Sequence, residues 1–248
     1  MSKPSIIFAP GAWYPPTAFD PIIKKLNGHS YNCHTIAFPS VQQSTTVQDL
    51  QPDIAAVRSL VEQEADAGQD VLVVSHSWAG LPVNSALDGL KKADREQSGK
   101  KGGVVKLVFI AAFIPRVGES LIGAFGGIPP PWYVGDVEQG TVTASDPFTL
   151  FFHDVADGQE WAKTLRPHAW STKNAPATSA AYMDIPSSYL LCVDDRALPL
   201  AVQQLMVDRA QRKGAIIETE KISAGHSPWL AQPDQVVAYI RKQAGEQI

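Results

Sequence analysis

Two stretches of this chain leave few choices of fold. Asp70-Val-Leu-Val-Val-Ser75 and Val104-Val-Lys-Leu-Val-Phe-Ile-Ala-Ala112 are almost continuously apolar over strand length. A strand with one face in water alternates, so such runs read as strands covered on both faces, in a parallel sheet. The flanking segments agree. Ser5-Ile-Ile-Phe-Ala9 and Tyr31–Phe38 predict two earlier strands, and Ser188–Val193 and Ala215–Ile222 two later ones. Between them apolar residues recur at helical spacing. Phe19, Ile22, Ile23 and Leu26 run to a stop at Gly28, and Leu50, Ile54, Val57 and Val61 run to a close near Gly68. Further helices are expected from about Trp78, over Leu198–Arg212, and from Pro233 through Val236, Val237 and Ile240. Strands joined by crossover helices give an α/β fold with a mostly parallel, right-handedly wound sheet.

The alternation breaks once. From Ile114 to Ile185 the chain is rich in Pro, Gly and aromatics, including Pro129-Pro-Pro-Trp-Tyr133 and Phe148-Thr-Leu-Phe-Phe152. That is too long for a plain loop. We read residues 1–248 as a single domain, with a cap inserted at roughly 115–185 over the strand ends, where open α/β sheets bind ligands.

Composition narrows the function classes. With 21 basic and 25 acidic residues the net charge is −4, without the basic surplus a nucleic-acid footprint needs. No apolar run approaches the ~18 residues of a membrane span, and Ile6–Ala9 is too short for a signal-peptide core. Cys33 and Cys192, both in strand-like segments, read as free buried thiols of a reducing, cytoplasmic compartment. No Gly-x-Gly-x-x-Gly follows the first strand, and there is no Walker-type loop or clustered Cys/His signature, so no cofactor or metal is expected. The expected partner is a small-molecule substrate, and any self-assembly is expected to be a homodimer.

Chemistry concentrates in Val73-Val-Ser-His-Ser-Trp-Ala-Gly80. A buried strand ends, a small-x-Ser-x-small pattern follows, and a helix begins. That is the setting of a nucleophile elbow, in which a strained turn lifts a serine hydroxyl above the sheet. Ser75 and Ala79 stand where glycines are usual, which still leaves room beside the turn. Serine needs a base, and the base an orienting acid. Of the six histidines only His226 lies in a loop between a late strand and the last helix. His76 adjoins the serine and is expected to pack locally, and His34 to be structural; His153 and His168 fall in the cap, as solvated loop residues or substrate contacts. Asp194 and Asp195 both follow a strand end, and Asp195, opening a turn, is the preferred acid. The order Ser77, Asp195, His226 is that of α/β-hydrolases. Two N–H donors must meet the oxyanion: that of Trp78, and that of Ala12 in the turn after the first strand, with Gly11 allowing close approach.

These motifs resemble the plant methylesterase and hydroxynitrile-lyase branch of the α/β-hydrolase superfamily, and more closely its fungal and bacterial relatives. The resemblance covers nearly the whole chain. It rests on Gly11-Ala-Trp13, His76-Ser-Trp-Ala-Gly80, Ala111-Ala-Phe-Ile-Pro115, Cys192-Val-Asp-Asp195 with Pro199, and Gly225-His226. It implies a triad of Ser77, Asp195 and His226, with Ala12 and Trp78 as oxyanion donors. Plain methylesterases usually carry His at the position of Pro10. The lyases carry Thr at Gly11 and Lys at Ser227; neither is present, which favours hydrolysis. A cofactor-independent serine hydrolase of a small or medium, largely apolar ester or lactone is therefore expected. Gly11, Trp13, Phe113, Trp132, Tyr133, Phe152, Trp170 and Trp229 are candidates for its substrate pocket. Two alternatives keep the fold: C–C cleavage or cyclisation of a polyketide-like intermediate, and a receptor that binds without turnover.

Overall fold

The computed structural model describes residues 3–248. In chain order the elements are β1 (Ser5–Ala9), α1 (Asp20–Gly28), β2 (Cys33–Thr35), α2 (Pro39–Gln42), α3 (Gln51–Asp66) and β3 (Asp70–His76). Then come α4 (Gly80–Ala86), α5 (Lys92–Gln97), β4 (Gly103–Ile110), α6 (Leu121–Ala124), β5 (Tyr133–Asp136) and β6 (Thr141–Ala144). The chain continues with α7 (Gly158–Ala162), β7 (His168–Ala169), α8 (Ser171–Asn174), β8 (Ser187–Cys192) and α9 (Leu200–Gln211), and closes with β9 (Ile217–Ile222), α10 (Pro228–Ala231) and α11 (Pro233–Gln243).

Six strands pair in the order β2-β1-β3-β4-β8-β9, and every pairing is parallel. The two continuously apolar runs are the central strands β3 and β4, as their composition requires. Leu72, Val73 and Val74 and, beside them, Val108, Phe109 and Ile110 are all buried. Burying each such side chain contributes roughly 1.5–3 kcal/mol before conformational entropy is charged against it.

The early strand is shorter than the sequence suggested. Tyr31–Phe38 reads as a strand, yet only Cys33–Thr35 is one. It lies at the sheet edge with β1 as its one neighbour. Tyr31 N–H turns back to Leu26, and Phe38 is already the N-cap of α2. Edge placement also leaves Cys33 half-buried, against the expectation of a buried thiol; Cys192 is fully buried.

The irregular segment carries a small antiparallel sheet, β5-β6-β7, and several one-turn helices. It is tied to the loops at the C-terminal end of the main sheet by one backbone–backbone bond and two bonds between side chain and backbone. Arg166 N–H donates to the Trp13 carbonyl at 2.9 Å, and Trp13 Nε1–H to the Val142 carbonyl at 2.7 Å. Asp154 Oδ2 accepts the Gly225 N–H at 2.6 Å.

Candidate active site

Three loops at the C-terminal ends of parallel strands converge here. Beyond β3 the chain turns at Ser77, which has φ +53. A side chain is disfavoured in that left-handed region, and the surroundings must hold it there. They do so through Phe113, whose N–H donates to the Ser77 carbonyl at 3.0 Å. The loop after β4 then passes so near that a Cβ on Gly80 would sit 1.9 Å from the Phe113 carbonyl oxygen. Beyond β8, Asp195 turns inward while Asp194 is exposed. Beyond β9 comes His226.

The three side chains form one hydrogen-bonded line. Asp195 Oδ2 is 2.7 Å from His226 Nδ1, and His226 Nε2 is 3.0 Å from Ser77 Oγ. A carboxylate only accepts, so Nδ1 carries the proton and Nε2 is free to take one from the serine. Asp195 is itself fixed. Its Oδ1 accepts the N–H groups of Ala197 and Leu198, both at 2.8 Å. Gln203, buried on α9, brings Nε2 to 3.5 Å from Oδ2 and bonds the Cys192 and Leu198 carbonyls.

His76 lies beneath this line. Its ring centroid is 4.6 Å from that of His226, and its Nε2–H donates to the His226 carbonyl at 3.0 Å. Burial, and then the neighbouring His226, hold its pKa well below the usual histidine range. Gly11 packs against the same ring. A Cβ there would come within 2.7 Å of His76 Nδ1 and 2.9 Å of Ser77 Cβ. Its lack of a side chain lets the loop after β1 approach Ser77, and it does not line the cavity as a substrate contact would.

The cavity over Ser77 is lined by Trp13, Phe113, Trp132 and Tyr133, expected as pocket residues, by Ala12 and Trp78, expected as oxyanion donors, and by His226. It is also lined by Leu121, Phe125, Phe151, Ala197 and Leu198, which were not. The space within it open to the centre of a water-sized molecule is only about 20 Å³. That is room for about one water.

Besides Gly11, three further anticipated pocket residues lie elsewhere. Trp229 is wholly buried, donates Nε1–H to the Ala18 carbonyl and packs on Phe19 and His76. Phe152 packs against Tyr14, and its neighbour Phe151 faces the cavity instead. Trp170 is half-buried beside Gly140 and Thr141 on the outer side of the cap, near Tyr133. Among the histidines of the cap, His168 is fully buried and not solvated. His34 makes a 3.3 Å contact with Glu64. Among the described residues, no three His, Cys, Asp or Glu side chains are grouped to hold a metal ion. No helix there is long and apolar enough to cross a membrane.

The model of the "Alpha/beta hydrolase family" matches residues 6–239. The chain belongs to this family. Among its relatives, "Alpha/beta hydrolase nvfD" of Aspergillus novofumigatus is 33% identical over 255 residues, covering 100% of this chain and 99% of that one. "Probable hydrolase R7" of a Phoma species is 29% identical, covering 99% of this chain and 100% of its own. Of solved structures, polyneuridine aldehyde esterase superposes with a TM-score of 0.78 at 15% identity, covering 98% of this chain and 100% of that one. A pyrethroid hydrolase from Sphingobium faniae does so with a TM-score of 0.75 at 16% identity, covering 98% of each chain. At 15–16% identity both likenesses are of fold.

Several residues that shape the site had little signal in the sequence. Gln203 could have been noticed as a polar residue on the buried stripe of α9 with Met206, Val207 and Ala210. Phe125 and Leu121 sit on a one-turn helix and its cap, too short for periodicity to show a face.

Proposed function

We propose that this hydrolase-class enzyme cleaves a small or medium, largely apolar carboxylic ester or lactone through an acyl-enzyme on Ser77. The observation that carries the reading is the Asp195–His226–Ser77 hydrogen-bonded line, ending on a serine with φ +53 inside an aromatic cavity.

Ser77 Oγ attacks the carbonyl carbon as its proton passes to His226 Nε2, and the imidazolium so formed is held by Asp195. The N–H groups of Ala12 and Trp78 take the charge developing on the carbonyl oxygen. Collapse expels the alcohol, which leaves with the proton from His226. Water then attacks the acyl-enzyme with His226 again as base, and the carboxylic acid departs. His76 stays uncharged below, so the rising charge on His226 meets no second cation in contact with it. The walls offer indole and phenyl faces and few polar groups, which suits an apolar acyl or alcohol part. The limited free space means that Trp132, Tyr133 and their cap neighbours must shift to admit substrate.

A fluorophosphonate probe with intact-mass readout, followed by a panel of esters and lactones, tests this. One adduct on the wild type, absent from Ser77→Ala and His226→Ala, together with turnover of at least one ester is expected. A folded wild type that is neither labelled nor active overturns the reading.

A further inference from the structure

Behind the cavity wall lies a cluster of ionisable side chains that ester cleavage leaves idle. Lys173, from α8 of the cap, is fully buried, with Nζ 2.5 Å from His168 Nδ1. His168 Nε2 is 2.8 Å from Ser40 Oγ, and the Ser40 N–H donates to Asp53 Oδ1 at 3.0 Å. Lysine, histidine, serine and aspartate are all sealed from solvent. Such burial is rare for lysine and unfavourable without partners. It holds the Lys173 pKa well below the ordinary lysine range, with Asp53 acting in opposition, and pushes the Asp53 carboxyl up to about 6. A cavity-facing role does not explain the cluster, since none of the four lines the pocket.

What Lys173 touches is more telling. Its Nζ lies over two indole rings, 4.9 Å from the centroid of Trp13 and 5.2 Å from that of Trp78. These are distances at which the negative face of an indole attracts a cation. His168 adds an edge-on contact to Trp78 at 4.4 Å. Trp13 directly follows Ala12, and Trp78 is the residue after the serine. The two proposed oxyanion donors therefore stand on separate loops, after β1 and after β3. Their N–H groups must meet one oxygen within a few tenths of an ångström. Trp13 also has φ +72, a backbone state that its surroundings have to maintain.

We propose that Lys173, carried in by the cap and steadied by His168, is the positioning residue of the oxyanion hole, its Nζ between the rings of Trp13 and Trp78 setting the two donor loops against each other. This rests on Ala12 and Trp78 being the oxyanion donors. Methionine at 173 would fill much of the same space but offer the rings no amino group. Arginine would restore N–H groups over the rings with an altered reach.

The test is steady-state hydrolysis of p-nitrophenyl acetate and inhibition by an alkyl trifluoromethyl ketone, to which Ser77 adds reversibly to give a tetrahedral oxyanion. Lys173→Met is expected to lower kcat by ~10- to 100-fold with KM within about twofold, and to weaken the ketone by the same factor. Lys173→Arg should recover part of both. Wild-type kcat and ketone affinity in Lys173→Met, with only a lower Tm, would make Lys173 a packing residue and overturn the proposal. Should Lys173→Met not fold, His168→Gln is expected to show the same parallel loss, and an unchanged kcat there overturns it. A wild type that is phosphonylated at Ser77 but cleaves no ester sinks the ester reading alone. The comparison is then made on phosphonylation rates, where equal rates for Lys173→Met and wild type overturn the proposal. A wild type that does neither removes both.

Discussion

His226 rests on His76, whose ring sets the height at which the upper imidazole meets Ser77. That support has a pH dependence. Because the folded-state pKa of His76 is depressed, the unfolded chain takes up a proton below pH 6.5 that the folded chain refuses. Its contribution is complete above pH 6.5 and is lost as the pH falls toward the lower folded value. The slope is about 1.4 kcal/mol per pH unit for one such histidine. Buried His168 is shifted in the same direction by burial and then by Lys173. Urea unfolding between pH 8 and 5 should show a steeper acid loss in wild type than in His76→Gln. Parallel curves would mean that His76 is not depressed.

Replacing Asp195 by Asn should separate geometry from protonation. The amide oxygen can still accept the Ala197 and Leu198 N–H groups, which leaves its NH₂ facing His226 Nδ1. The imidazole must then carry its proton on Nε2 and cannot accept one from Ser77. A kcat loss of about 10⁴ is expected, as for the same change in serine proteases, with little change in Tm. A loss under tenfold on a good ester would remove Asp195 from its proposed role.

Two glycines should fail in different ways. Gly80→Ala drives a methyl into the Phe113 carbonyl, backbone against backbone, and should cost about 1–3 kcal/mol or more in stability. Gly11→Ala meets the His76 ring and Ser77 Cβ, and should displace the Ala12 N–H. Its kcat is expected to drop by about 10²–10³, the effect of losing one oxyanion donor, at a smaller cost in Tm. Thermal melts beside initial rates distinguish the two; a Gly11→Ala enzyme with full kcat would contradict the close approach.

The cavity as it stands has too little room for an acyl chain. Trp132→Ala should therefore raise kcat/KM for p-nitrophenyl octanoate relative to the acetate by ~10-fold or more, since each methylene admitted to an apolar pocket is worth about 1–3 kcal/mol. An unchanged ratio would mean that chain length is limited elsewhere.

The sheet was legible because doubly covered strands must be apolar throughout, and β3 and β4 are. The elbow was legible because a strand, a turn and a helix follow one another within a few residues. Asp195 and His226 could be grouped with Ser77 from their places after β8 and β9, which parallel topology brings to one edge. The second strand was overextended because apolar content does not reveal that an edge strand has a single neighbour. The aromatic residues were harder. Phe151 and Phe152 are adjacent and alike, and only the tertiary turn of the cap decides that the first faces the cavity over Ser77 and the second Tyr14. Trp229 and Trp170 were misplaced for the same reason. Lys173 carried no signal at all, because a lysine on a one-turn helix is ordinarily solvated.

The bonds from Arg166, Val142 and Asp154 to the loops of Trp13 and Gly225 give the cap a double duty. In this protein, choice of substrate and speed of reaction are not independent dials. A redesign that swaps the whole cap would import a new preference and loosen the machinery at one stroke. Diversity confined to Leu121, Phe125 and Trp132, with positions 142, 154 and 166 left alone, is the route by which selectivity could change while turnover survives.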